Sequence, residues 1–289
     1  MRLIIQLFLL FITINSCAQD YGQLTLIDKL PRKMEEVSGI QKMKPKGLIW
    51  MINDSGNKDR IYGVNKKGNI KEEIKVKRSK NVDWEELTKD DKGNLYIGDF
   101  GNNRNERTDL TIYKISKPDK IKEGETKASK ITFYYPEQIA FPPKKTEMFY
   151  DLEAFIFLND HFYLFTKNHS AEFDGTTLLY KIPAKKGKHE AQLITTYKTC
   201  DDAEHCKITA ADISPDKSKI VLLGHDRIWV LTDFKGDNLY SGNVETILLG
   251  HSSQKEGICF VDDSTLFITD EDESHTNAGR NLYSFTLKN

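Results

Sequence analysis

Helical period is almost missing from this 289-residue sequence: from residue 22 onward no stretch repeats its apolar residues every three or four positions. That absence excludes helix bundles and doubly wound α/β folds. An excess of charge of one sign is missing too. Lysine plus arginine number 42 against 43 aspartates and glutamates, a net charge of −1, so the chain has no long-range pull on nucleic acid and no basic face for anionic lipid. No nucleophile elbow, zinc-ligand spacing or phosphate-cradling glycine loop occurs. The N-terminal apolar run, Leu3 to Ile14, is about 12 residues long, short of the roughly 20 that cross a bilayer. Hydrophobic residues still make up 38% of the chain and aromatics 10%, ample for a buried core.

With Arg2 the only charge before it and Asn15-Ser16-Cys17 after it, the N-terminal run reads as an export signal that is removed. Ile14-Asn15-Ser16-Cys17 resembles the bacterial lipobox, in which a small residue precedes a cysteine that is acylated and becomes the new N-terminus. The competing reading is an ordinary signal peptide cut nearby. The lipobox implies a signal peptide over 1–16, a lipidated N-terminus and tether over 17–21, and one domain over 22–289. Acyl chains contribute about 0.8 kcal/mol per buried methylene, so two or three hold a protein on a membrane. The expected location is the cell envelope, on the outer membrane. Of the four cysteines, Cys17 is then the lipid site; Cys200 and Cys206 flank a polar stretch and are expected to form a disulfide clipping a loop outside the core. Cys259, in an apolar strand, reads as a buried free thiol. A metal site on Cys200, His205 and Cys206 matches no zinc spacing.

Short alternating runs rich in Ile, Leu, Tyr, Phe and Thr, broken by Gly, Asn, Asp and Lys turns, make the chain all-β. Five openings recur: Val37-Ser38-Gly39-Ile40, Trp84-Glu85-Glu86-Leu87, Leu152-Glu153-Ala154-Phe155, Ala210-Ala211-Asp212-Ile213 and Lys255-Glu256-Gly257-Ile258. Each leads to a second apolar strand, then a third and usually a fourth, and four strands per repeat is a β-propeller blade. The fifth repeat has only three strands. Leu24 to Leu30 has the alternation to complete it, so the expected architecture is a five-bladed β-propeller closed by an N-terminal strand. A sixth, divergent blade is the alternative. Glu137 to Met148, with Pro142-Pro143, resists the tiling and reads as a long loop on the face of the strand starts.

The openings carry the chemistry. Pairing each innermost-strand start with the end of its hairpin partner gives Ser38 with Asp54, Glu85 with Asp99, Glu153 with Lys167, Ala211 with His225 and Glu256 with Asp270, four of the five separated by 14 residues. Glu85, Glu153, Glu256, Asp99 and Asp270 are the candidate metal ligands, with Asp54, Asp83, Asp151, Lys167 and His225 also lining the mouth of the channel. So many carboxylates around one axis need protons or a cation, and a hard divalent ion, calcium first, suits an all-oxygen set. The competing reading is that acids at blade starts cap neighbouring backbone amides. Arg104 and Arg107, in the turn after the second strand of the second repeat, are placed to meet an anionic ligand.

In the order Ser38-Gly39-Ile40, Asp83-Trp84-Glu85, Glu153, Ala211-Asp212-Ile213, Glu256-Gly257-Ile258 and Ile268-Thr269-Asp270-Glu271, the chain resembles the SdiA-regulated family of bacterial β-propellers and, more distantly, propellers named for esterase-like phytase activity. The fourth opening departs from the Ser-Gly pattern. The resemblance implies a propeller with an acidic, calcium-holding mouth and no particular substrate. Two functions follow: a binding module that presents its mouth to a small ligand or an envelope protein, or a metal-dependent hydrolase of an ester, lactone or phosphate with a mouth carboxylate or His225 as base.

Overall fold

The computed structural model describes residues 19–44, 46–122, 124–272 and 279–288; Cys17 and the rest of the lipobox lie outside them. The described chain opens with β1 (Thr25–Lys29). Blade one follows as β2 (Val37–Lys42), β3 (Ile49–Asn53), β4 (Arg60–Val64) and β5 (Ile70–Lys77). Blade two is β6 (Trp84–Lys89), β7 (Leu95–Asp99), β8 (Thr111–Ile115) and, after a short β9 (Glu125–Lys127), β10 (Ser129–Tyr134). Blade three is β11 (Asp151–Leu158), β12 (His161–Lys167), β13 (Thr176–Pro183) and, after β14 (Gly187–Glu190), β15 (Gln192–Lys198). Blade four is β16 (Ala210–Ile213), β17 (Lys219–Leu223), β18 (Arg227–Thr232) and β19 (Asn243–Leu248). Blade five is β20 (Lys255–Phe260), β21 (Thr265–Asp270) and β22 (Asn281–Thr286), completed by β1. The fold is a five-bladed β-propeller closed by its N-terminal strand.

The amphipathic strands bury one apolar face against each neighbouring blade. Accordingly there are five buried apolar clusters, each between two adjacent blades; Trp50 and Trp84 meet between blades one and two, and Phe155 and Tyr96 between blades two and three. Two blades gain a fifth strand from the next blade along. β9 pairs in parallel with β5, and β14 pairs in parallel with β10, covering outer edges that would otherwise be open to other chains.

The innermost strands β2, β6, β11, β16 and β20 line the channel, and four of them carry a one-residue bulge at their start. Trp84 faces Asp99 while Glu86 faces Gly98, which leaves Glu85 as the extra residue; Glu153 and Glu256 are extra in the same way. β16, with Ala211, has no bulge. A bulge re-aims a side chain out of the ladder, so it is the bulge that turns these three acids into the mouth. Gly39 belongs to the same device in blade one: a Cβ there would stand 2.8 Å from Glu86 Cα, so only glycine lets β2 approach β6.

Cys200 and Cys206 are joined as a disulfide with Cα atoms 5.6 Å apart, and Cys259 is free and buried. The bridge differs from the sequence expectation in its surroundings. Cys206 is buried in the apolar cluster between blades three and four, with Cys200 packed against it, so the bridge belongs to the core rather than to an outlying loop.

Candidate functional site: the acidic mouth

Hairpin geometry brings two sets of ligand atoms together at the strand starts. Asp54, Asp83 and Glu85 place carboxylate oxygens within 4.8 Å of one another, and so do Asp151, Glu153 and His169 with their oxygens and ring nitrogen. The two sets adjoin: Glu85 feels the charges of Glu153 and Asp151, and Asp83 that of Asp151. Glu256 borders both, acting on Glu153 and on Asp54.

The second set is internally neutralised. Lys167 Nζ donates to both carboxylate oxygens of Glu153 at 2.5 Å. Asp151 is fully buried, accepts from Asn102 N at 2.6 Å and lies 2.8 Å from His169 Nε2. Its desolvation is outweighed by the combined pull of His169, Lys167 and Asn102 N, so its pKa falls below the ordinary carboxylate value. Lys167, although desolvated, is held protonated by Glu153, Glu256 and Asp151.

No lysine, arginine or histidine among the described residues ion-pairs with the first set, though the charge of Arg107 pulls on Asp83. Glu85 is 6% exposed and has no hydrogen-bond donor among the described residues; its desolvation, reinforced by Glu153, Asp54, Asp83 and Asp151, pushes its pKa well above the ordinary value. Asp54 rises to about 7, through burial first and then Asp83 and Glu256. Asp83 rises through burial and Asp151. A Cβ on Gly101 would come within 2.0 Å of Glu85 Oε1 and 2.5 Å of Asp83 Oδ2, so the glycine makes the room in which these carboxylates gather.

Two of the candidate ligands are elsewhere engaged. Asp99 Oδ1 accepts from Asp83 N and from Arg107 at 3.1 Å each. Asp270 is fully buried and accepts from Asn281 N at 2.7 Å, Tyr283 OH at 2.8 Å and Ser253 Oγ at 2.9 Å. Both belong to neither set: they are the amide- and hydroxyl-capping acids that the competing reading described. The bulge is the reason, since it slips Glu85 and Glu256 out of register with their supposed partners. Arg107 is likewise used up on Asp99, Asp109 and the Gly101 carbonyl, whereas Arg104 is exposed. His225 Nε2 is buried, makes no hydrogen bond among the described residues and stands 3.9 Å from Glu256 Oε1. Ser38 Oγ donates to Trp84 O at 2.7 Å and ties blade one to blade two.

Three mouth residues escaped the sequence reading. His169 lies two residues past Lys167, and since side chains two apart on a strand share a face, the same period would have found it. Glu271 follows Asp270; burial, with Glu256, Asp54 and Glu36, raises its pKa to about 9. Lys207 is desolvated beside Lys167, which lowers its pKa. The loop after Glu137 does lie on this face, hydrogen-bonded to it through Gln138 to Asn105 O and His169 N to Met148 O.

The two classes of acid separate in a single experiment. Asp270→Asn is expected to cost about 1–2 kcal/mol by weakening buried charge-assisted hydrogen bonds, with cation binding unchanged, as read by denaturant melts and a calcium titration. Lost binding in that variant would return Asp270 to the ligand set.

No protein-family model matches the chain, and no curated protein matches it. Among solved structures it is similar to the PQQ-bound aldose sugar dehydrogenase of Streptomyces coelicolor, with 11% identity over 91% of this chain and 97% of that one and a TM-score of 0.53. A gluconolactonase of Xanthomonas campestris is 8% identical over 92% of this chain and 90% of that one, with a TM-score of 0.47. At such identities the likeness is one of fold.

Proposed function

We propose that the mouth holds one hard divalent cation, calcium by preference, on Asp54, Asp83 and Glu85, and that through this ion an envelope-anchored propeller binds a small oxygen-rich ligand. The observation that carries the reading is Glu85: a carboxylate nine-tenths buried, without a donor, beside two more carboxylates and without an ammonium of its own. The donor set fits, being all hard oxygen, and three carboxylates leave room in a coordination sphere of roughly six to eight for water and for ligand oxygens. The resemblance to the SdiA-regulated family points the same way. Equilibrium dialysis of the chelator-treated protein is expected to return one calcium per chain, and none for Asp83→Asn combined with Glu85→Gln. Equal binding by that double variant would remove the site.

Asp151 and His169 support a second reading, metal-dependent hydrolysis of an ester, lactone or phosphate, because a buried carboxylate orienting an imidazole is the arrangement of a general base beside a cation. Turnover of an aryl ester, lactone or phosphate monoester that requires calcium and is lost in His169→Gln would select it.

Lipidation at Cys17 and an outer-membrane address belong to the same proposal. Cys17→Ala is expected to move the protein from the membrane to the soluble fraction; a variant that still sediments wholly with membranes has another anchor.

A further inference from the structure

The innermost strands leave the acidic mouth and end on the opposite face of the ring, at Lys42, Lys89, Leu158, Ile213 and Phe260. Between the faces the channel is bridged by buried polar groups. Glu86 accepts from its own Leu87 N at 2.7 Å and, across the channel, from Ala211 N at 3.1 Å. Gln41 donates to Asp212 Oδ1 at 3.1 Å, while Asp212 Oδ2 accepts from Phe260 N at 2.8 Å. Beyond this plug lies a cavity of about 470 Å³, which the mouth described above does not reach.

Its chemistry is the reverse of the acidic mouth. Lys42, Lys89 and Lys92 stand on its wall and Phe157 and Phe260 supply apolar surface. Lys42 is 1% exposed, yet its ammonium has one carbonyl, Gly47 O at 2.5 Å, for its three N–H groups. Lys89 donates to the Lys42 carbonyl. No carboxylate among the described residues lies within ion-pair distance of Lys42, Lys89 or Lys92. The cavity's own acids are committed: Asp91 pairs with Lys217 at 2.6 Å, and Asp90 accepts from Asn94 and Tyr96 at its own turn. Asp212 lies deep in the plug, where burial raises its pKa against the pull of Lys89, with which it makes no ion pair. Of the three, Lys42 is withdrawn from water while Lys89 is half-buried and Lys92 exposed. A buried ammonium without a counter-charge is costly, and an anion held beside it on the two more accessible lysines offsets that cost.

We propose that this second mouth binds a small organic anion, its carboxylate or phosphate-monoester head on Lys89 and Lys92 and its apolar body on Phe157 and Phe260. The proposal is independent of the cation site. Isothermal titration with phenyl phosphate, phenylacetate, inorganic phosphate and neutral benzyl alcohol tests it. One organic anion is expected to bind 1:1 at least tenfold more tightly than benzyl alcohol and than inorganic phosphate, and the better of the two names the head group. Lys89→Gln and the exposed Lys92→Gln are each expected to weaken binding several-fold. Inorganic phosphate binding as tightly as the organic anions would mean an adventitious ion only and would overturn the proposal. Full affinity in Lys92→Gln and in Lys89→Gln combined with Lys92→Gln would overturn it as well. Should Lys89→Gln not fold, Lys92→Gln alone carries the reading.

Discussion

Millimolar calcium added to the chelator-treated protein at pH 7.5 is expected to raise its thermal midpoint by on the order of 5 °C, since ligand at a hundredfold excess over Kd contributes about 2.7 kcal/mol. The sign with pH follows from the same residues. Asp54 and Glu271 keep their protons to about 7 and about 9 in the folded chain, and Glu85 is raised as well, whereas all three ionise near pH 4 when unfolded. Between those limits the folded state binds more protons, so the metal-free protein loses stability as pH rises from about 4 to about 9. Calcium needs the carboxylates ionised, so its stabilisation grows over the same interval and fades as pH falls below about 7, where Asp54 takes up its proton. Glu85→Gln removes a buried charge that only the ion compensates; it should raise the metal-free midpoint and abolish the calcium response together. A midpoint indifferent to calcium at pH 7.5, with the same variant raising it, would mean that the mouth is an unfilled electrostatic liability.

How far the sequence carried this site can be traced residue by residue. The five openings were legible because an innermost strand is buried on both faces and begins at a fixed place, so its residues recur even where the blades diverge. Glu85, Glu153 and Glu256 were found by that recurrence, Asp54 by the hairpin pairing built on it, and Asp83 and Asp151 by lying two residues before Glu85 and Glu153. Asp99 and Asp270 were misplaced because a separation of 14 residues is counted along the chain, whereas facing partners are set by register, and a bulge shifts register by one without leaving a mark in the count. Glu86 shows the converse. Two adjacent glutamates read as one motif, but the first turns into the mouth and the second into the plug. The staple strands β9 and β14 were invisible for another reason. Glu-Thr-Lys and Gly-Lys-His-Glu have no apolar face, and their partners are the outer edges of a neighbouring blade, a contact no local pattern encodes.

The largest effect is expected from removing residues 19–30. β1 is the fourth strand of blade five, antiparallel to β22 with Thr25 opposite Ser284 and Lys29 opposite Asn281, so its loss leaves β22 as a bare edge. Its ends matter as much as its ladder. Leu24 is buried in the cluster between blades four and five and Leu30 in the cluster between blades five and one. Each side chain contributes roughly 1.5–3 kcal/mol by burial, and each sits at one of the two interfaces that hold blade five in the ring. A ring whose apolar clusters each lie between neighbouring blades has no other apolar core to fall back on, so the truncated chain should lose its cooperative transition and aggregate. The register supplies the control. β22 ends at Thr286 and β1 begins opposite Ser284, which is hairpin geometry, so residues 22–30 joined after Leu287 by a short glycine-rich linker should restore a cooperative melt to a chain that starts at Pro31. Strand content by circular dichroism and the melting profile compare the three chains. A truncated protein that melts like the full one would mean that blade five closes the ring with three strands, and β1 would then be a cover and not a closure.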